Sequence, residues 1–498
     1  VPDNVSNSLP DTTTADTAAN TATDVATETT TGSSNAAPSP RARPQAESQP
    51  ASQPASQLGP PTQPHPHPTV SVVVVNYNGR DLLGPLFEGL REQTYTDHEV
   101  VLVDNASVDD SVAWVQEHFP EVRVIASPEN LGFSGGNNLG IRESRGEYFA
   151  LLNNDTVPDR HCLAELVSEL EADPSIGAVG AKLLFFRSYL PIELSTTPFD
   201  PASLPGGGAD VRKLGVRWDE KSGFAGCDYR KPIFTHGFYT AEQADGRVLR
   251  WSGPNATVWL PIEHADRSAE LRILTSGGPA AGRTLEVRLG GHELGTIDLS
   301  GTFQETRFTL SREIVEAEAF DVVNNAGTNL DDNGRAGDRG IYERDRGQYD
   351  AVVDIDAFCG AAALLRKEAL DRVGLFDDDF FMYFEDTDLS WRIRRGGYRI
   401  RYRPSAVVRH LHATSSVEYS PLFNFYTARN QVLMIAKNAG LIPIARAVST
   451  EFGIGLRLLR NWLRNRSDPH ARQALRTRVQ AERSLLKLLP KALWSRTH

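Results

Sequence analysis

Residues 71–78, SVVVVNYN, form an unbroken β-branched run that ends in polar side chains. A run apolar on both faces predicts a strand buried inside a parallel sheet. Leu82, Leu83, Leu86, Phe87 and Leu90 follow at helical spacing and predict a helix with one apolar face. EVVLVDN (99–105) repeats the strand pattern, a helix carrying Val112, Trp114 and Val115 comes next, and VRVIA (122–126) predicts a third strand. The loop NLGFSGGNN (130–138) and a further helix lead to a fourth strand, EYFALLNND (147–155). Strands alternating with helices over short connections predict an α/β, doubly wound sheet, in which ligands bind beyond the carboxyl ends of the strands.

The period changes between about 187 and 320. TVWLPIE (257–263), AELRILTS (269–276), TLEVRLGGHELGTIDLS (284–300) and ETRFTLS (305–311) alternate apolar and polar positions, and Gly290-Gly291 predicts a hairpin turn. This segment predicts an antiparallel β-sandwich inserted into the α/β domain, an accessory module or a structural one. The α/β texture resumes near 321 with the strand AAALLR (361–366) and FFMYFEDTDLSWRIRRGGYRIRY (380–402), read as an aromatic loop, a helix from about Glu385, and a strand. From about 421 the chain reads as basic amphipathic helices. From Arg429 onward fourteen Lys and Arg face only Glu451, Asp468 and Glu482. Leu456, Leu459 and Trp462 stand beside Arg457, Arg460 and Arg464, a pattern suited to an anionic membrane surface. Residues 1–68 hold almost no large apolar side chains, so they predict a disordered tail, His65 and His67 included.

Composition narrows the classes. The chain has 498 residues and a formal net charge of -12, which argues against nucleic acid as the main partner. Its three cysteines, Cys162, Cys227 and Cys359, are far apart and lack metal-ligand spacing, which fits a reducing cytosol. With no signal-like segment and no apolar run long enough to span a bilayer, the expectation is a cytoplasmic protein, peripheral on the inner membrane face at most.

Three strand ends converge on one edge of the sheet: Asn76-Tyr77-Asn78, then Asp104-Asn105 with Ser107 and Asp109, then Asn153-Asn154-Asp155. Asp104 suits hydrogen bonds from a base or ribose, although Asp104 and Asp109 equally suit helix caps. The glycine-rich loop suits an anionic diphosphate at a helix N-terminus. Asp155 suits a divalent cation shared with phosphate oxygens, or a turn. Glu385, Asp386 and Asp388 follow Phe380, Phe381, Tyr383 and Phe384. Carboxylates beside an aromatic wall suit sugar binding and removal of a hydroxyl proton, while the same acids also complement a helix dipole. His410 and His412 suit a metal ligand or a structural role.

Taken in order, SVVVVNYNGRDLL, VLVDNASVDDS, NLGFSGGNNLGI, ALLNNDT, GLFDDDFFMYFEDTDLSWRIRRGGY and VVRHLHATSS closely resemble glycosyltransferase family 2, in its rhamnosyltransferase-like branch. The likeness covers about 70–186 and 320–435. It implies a GT-A fold, with a nucleotide-sugar-binding half at 69–186 and an acceptor and catalytic half at 321–420. It implies donor binding by Asn76, Asn78, Asp104, Asn130, Gly132, Asn137, Asn153, Asn154 and Asp155. Asp155 matches the last Asp of the family's metal motif, whose first position here is Asn153, and His410 matches a His that assists at the metal, so the cofactor is Mg or Mn. Asp386 matches the catalytic base, with Glu385 beside it, and Phe384, Asp388 and Trp391 fall to acceptor binding. The implied activity is inverting transfer of a sugar, L-rhamnose first, from a dTDP or UDP donor to a cell-envelope or capsule glycan that is lipid-linked in one variant. UDP-hexoses and UDP-galactofuranose are the alternative donors. A carbohydrate-binding protein with a degenerate catalytic domain and a nucleotidyltransferase are the alternative classes. A homo-oligomer is left open.

Overall fold

The computed structural model describes residues 69–204, 210–225, 232–244, 246–263, 265–280, 282–411 and 420–496. The tail 1–68, Cys227 and His412 lie outside the described residues. Val70–Asn76, His98–Asp104, Arg123–Ala126 and Tyr148–Asn153 are parallel strands. In space their order is third, second, first, fourth. The direction of winding therefore reverses between the first and fourth strands, where an open α/β sheet leaves a crevice for a ligand.

The β-branched run has two faces to fill. Val72 and Val74 pack into one core with Leu83, Leu86, Phe87 and Leu90 of the helix Arg80–Arg91. Val73 packs into a second core on the other face, with Ile141 of the helix Gly132–Glu143. That helix begins at Gly132, so most of the segment read as a loop is helical. Its glycines serve packing as much as ligand approach: a Cβ at Gly140 would lie 2.4 Å from Val73 Cγ1.

The sheet continues past the fourth strand with Ala362–Arg366, antiparallel to it, then Ile176–Phe185 and Arg399–His410. Strands between Ser188 and Leu310 build a separate antiparallel sheet. It starts with Ser188–Thr196, and the long strand Arg247–Ile262 pairs with Ser188–Thr196 through one half and with Arg217–Asp219 through the other. Thr284–Leu289 and His292–Asp298 form a hairpin over Gly290, whose φ of 55° explains the glycine. Leu285, Val287 and Leu289 all point into a core shared with Trp218, Val258 and Ile273. The insert's tryptophans Trp218 and Trp251 are buried, and Trp259 packs edge-on to Phe320 at the junction. Its way in and way out are joined: Tyr189 and Phe320 exchange backbone hydrogen bonds, and Phe185 N donates to Val322 O.

Three helices close the described chain: Pro421–Asn438, Leu441–Arg464 and Pro469–Trp494. The first packs through Val432, Leu433 and Ile435 against Phe380, with Phe384 and Trp391 beside them. Among the described residues no helix is long and apolar enough to cross a membrane.

Candidate active site

The parallel strands bring Asn76 opposite Asp104 in register, both buried. Asn154 Nδ2 donates to Asn76 Oδ1 (2.9 Å), across the point where the winding reverses. Asn76 Nδ2 donates in turn to Asp104 Oδ1 and Ser107 Oγ, each at 3.3 Å, and Ser107 N donates to Asp104 Oδ2 (3.0 Å). Asn78, with a φ of 50°, accepts from Val108 N through Oδ1. A rigid polar floor of this kind holds Asp104 in one orientation, and Tyr77, 47% exposed between the two asparagines, presents an aromatic face that a purely polar reading of the strand end overlooks.

Asp155 meets His410, from the end of Arg399–His410, with Oδ1 and Nε2 3.2 Å apart. His410 Nδ1 lies 2.9 Å from Asn324 Oδ1, which fixes the orientation of the ring. One carboxylate oxygen and one imidazole nitrogen facing each other suit a divalent cation between them. Among the described residues no group of three His, Cys, Asp or Glu forms a metal cluster, so the pair fits such an ion only with further oxygen ligands from a bound phosphate. Asn324 carries no motif signal in the sequence; it becomes visible only because the strand Val323–Asn325 pairs with Ile176–Phe185.

Asp386 sits in the first turn of the helix Glu385–Arg395. Gly360 N donates to its Oδ2 (2.9 Å), while Thr387 N (2.6 Å) and Oγ1 (3.2 Å) donate to its Oδ1. The next residue, Ala361, accepts from Asn153 N through its carbonyl (3.1 Å). The dipeptide Gly360-Ala361 thus links the carboxylate directly to the Asn153–Asp155 edge. Burial raises the Asp386 carboxyl above the ordinary range against the opposing backbone donors, and Asp338 adds to the rise. Glu385 is pushed up well beyond its usual value, first by burial and then by the charge of Asp386. Its Oε2 has no hydrogen-bond partner.

The loop before that helix is strained. Phe381, Tyr383 and Phe384 all have φ between 65° and 69°. Bulky residues adopt this conformation at a cost of about 1–3 kcal/mol each, and only where the surroundings enforce it. Phe381 O accepts from Phe133 N (2.7 Å) and Ser134 N (3.1 Å), at the start of the glycine-rich helix. A Cβ at Gly132, whose φ is 67°, would lie 2.5 Å from that carbonyl oxygen.

Several expected ligands are occupied elsewhere. Asn130 Oδ1 accepts from Gly132 N, and Asn137 Nδ2 donates to Phe133 O in its own helix. Asp388 does not reach the cleft. It is fully buried and holds Arg392 Nε (2.9 Å), Lys437 Nζ (2.9 Å) and Asn438 Nδ2 (2.8 Å), tying its helix to Pro421–Asn438. Phe384 and Trp391 are half-buried, each packed in part against the C-terminal helical core.

Comparisons with known proteins match the two parts that build this site. Residues 71–226 match the model of Glycosyl transferase family 2, and residues 342–433 match that of Glycosyl transferase family group 2. The chain is 28% identical over 119 residues to an uncharacterized glycosyltransferase of Haemophilus influenzae, covering 23% of this chain and 37% of that one. It is 37% identical over 122 residues to the O-antigen biosynthesis protein RfbC of Myxococcus xanthus, covering 24% of this chain and 10% of the relative. Each of these curated relatives is thus matched over well under half its length. Among solved structures, the mannosyltransferase PcManGT of Pyrobaculum calidifontis, in complex with GDP-Man and Mn2+, aligns over 86% of this chain and 88% of its own at 16% identity, with a TM-score of 0.36. The two matched segments build the α/β body, which carries an antiparallel insert and C-terminal helices.

Proposed function

We propose that the protein is an inverting glycosyltransferase that moves a sugar from a nucleotide-diphosphate donor to a glycan hydroxyl. The observation that carries this reading is the Gly360-Ala361 link, which sets a carboxylate of raised proton affinity beside the strand ends that hold Asp104 and Asp155. Asp104, fixed by Asn76 and Ser107, accepts from the nucleotide base or ribose. Asp386 accepts the proton of the acceptor hydroxyl as its oxygen attacks the anomeric carbon, and a single displacement inverts that carbon. Asp155 and His410 would hold a Mg or Mn ion together with the donor phosphates; such an ion, when bound, neutralises charge developing on the leaving diphosphate. The family resemblance favours dTDP-L-rhamnose as donor, ahead of UDP-hexoses, and the likeness to an O-antigen biosynthesis protein supports an envelope polysaccharide as acceptor. A panel of nucleotide sugars incubated with the full chain tests the reading: one donor releases its nucleoside diphosphate, whereas release of a sugar 1-phosphate, with the nucleotidyl group transferred, would replace it with nucleotidyl transfer.

Asp155→Ala is expected to remove metal-dependent donor binding while leaving metal-free nucleotide binding nearly unchanged. Calorimetric titration with and without Mn2+ measures this, and full turnover in excess chelator would overturn the metal's role.

The reading extends to contact with an anionic membrane, where a lipid-linked acceptor is met. The helix Leu441–Arg464 leaves Leu456 58% and Leu463 46% exposed, with Leu459 between them, and Arg457, Arg460 and Arg464 are exposed alongside. Trp462 is half-buried with its indole nitrogen inside, so Leu463 takes the place that the sequence assigned to it. Each arginine near an anionic surface contributes about 1 kcal/mol. Co-sedimentation is expected with vesicles containing anionic lipid and not with neutral ones; equal binding to both, unchanged in an Arg457→Glu/Arg460→Glu/Arg464→Glu variant, contradicts the contact.

A further inference from the structure

We infer that Asn430, oriented by Arg429, is the positioning residue for the catalytic base, and that it acts by clamping the aromatic loop that leads into the base-bearing helix. The inference rests on the transferase reading above. The side chain of Asn430 is fully buried. Its amide nitrogen donates to three carbonyls of one loop: Phe380 O (2.9 Å), Met382 O (2.8 Å) and Tyr383 O (2.9 Å). Arg429 Nε donates to Asn430 Oδ1 (2.8 Å), which decides which end of the amide faces the loop. The Arg429 guanidinium also donates to Asp379 O (2.6 Å) and Phe380 O (3.0 Å).

These are the carbonyls of a loop with three aromatic residues at positive φ. No ladder of ordinary secondary structure takes its backbone groups, so two side chains of a distant helix do so instead. Helix Glu385–Arg395 starts at the last of those strained residues, and Asp386 is its second position. The loop's other side, Phe381 O, is held by the amides of Phe133 and Ser134 beside the donor edge. The base is therefore placed between two clamps, one belonging to the donor half and one to the C-terminal helix. A shift of about 1 Å in such a group lowers the rate about 10²-fold without breaking substrate contacts.

The test uses the full chain with Asn430→Leu, which keeps the volume and removes the donors. With the donor found in the nucleotide-sugar panel, kcat is expected to fall about 10²-fold while donor KM stays within about threefold. Hydrogen exchange is expected to quicken at residues 380–386 more than in the strands of the sheet, beyond what the lowered thermal midpoint accounts for. In an Asp386→Asn background the same substitution is expected to cost nothing more, because it acts through that carboxylate. A kcat within about threefold of the parent, or a loss matched by the unfolded fraction, overturns the inference. If Asn430→Leu does not fold, Arg429→Lys, which cannot span two carbonyls and the Asn430 oxygen, is read by the same measurements. If no donor of the panel is turned over, the transferase reading fails; if Asp386→Asn retains turnover, the base lies elsewhere and the positioning role falls with it, while the exchange measurement still decides whether the clamp exists.

Discussion

Asp386→Asn is expected to lower sugar transfer by about 10²–10⁴-fold, the usual cost of losing a general base, with donor affinity nearly unchanged. The amide keeps the shape and still accepts from Gly360 N through its oxygen, at the cost of the bonds from Thr387 N and Oγ1. What it loses is the capacity to take a proton. The same carboxyl sets a pH dependence. A base works only when deprotonated, and burial with Asp338 nearby raises this group's proton affinity. The acid side of the kcat profile should therefore fall at a higher pH than an ordinary exposed carboxylate would give, and Asp386→Asn should erase that limb. A variant retaining a tenth of the parent rate, or an unchanged acid limb, moves the base elsewhere.

Asp388→Ala is expected to destabilise the folded state by about 3–5 kcal/mol, because it leaves the buried Lys437 ammonium and the Arg392 guanidinium without their shared carboxylate. Lys437 keeps Asp377 at 2.7 Å, which places the expected loss toward the lower figure. Urea unfolding measures it. A loss below about 1 kcal/mol would mean that the pair of Lys437 with Asp377 and the bonds from Arg392 to Val373 O and Leu375 O suffice for the two cations.

The two acidic neighbours differ because of helix geometry. At 3.6 residues per turn, positions 386 and 388 point about 200° apart, so they cannot share one cleft. Glu385 and Asp388, three apart, share the inward face, and both are buried. Closeness in sequence to Asp386 was thus a poor guide to acceptor contacts for Asp388. The strand ends were legible for the opposite reason. A β-branched run buried on both faces can only be a central strand, and its polar end must then lie at the sheet's carboxyl edge. The glycine-rich segment was ambiguous, since glycine serves both a phosphate loop and close helix–strand packing; Gly136 and Gly140 are of the second kind. Asn324, Gly360 and Asn430 left no mark in the local pattern, because each acts across more than 25 residues of chain.

The insert hangs from the body by a narrow neck, where Tyr189 pairs with Phe320 and Ser188 Oγ donates to Asp321 Oδ1. Asp321 also receives both terminal nitrogens of Arg409, and Asn324 lies three residues further on. The root of the antiparallel insert thus adjoins Asp321–Asn324, the stretch whose Asn324 meets the imidazole of His410. A substitution that loosens the root, such as Ser188→Ala, is therefore expected to be felt at the orientation of that ring, whatever the outer faces of the insert touch.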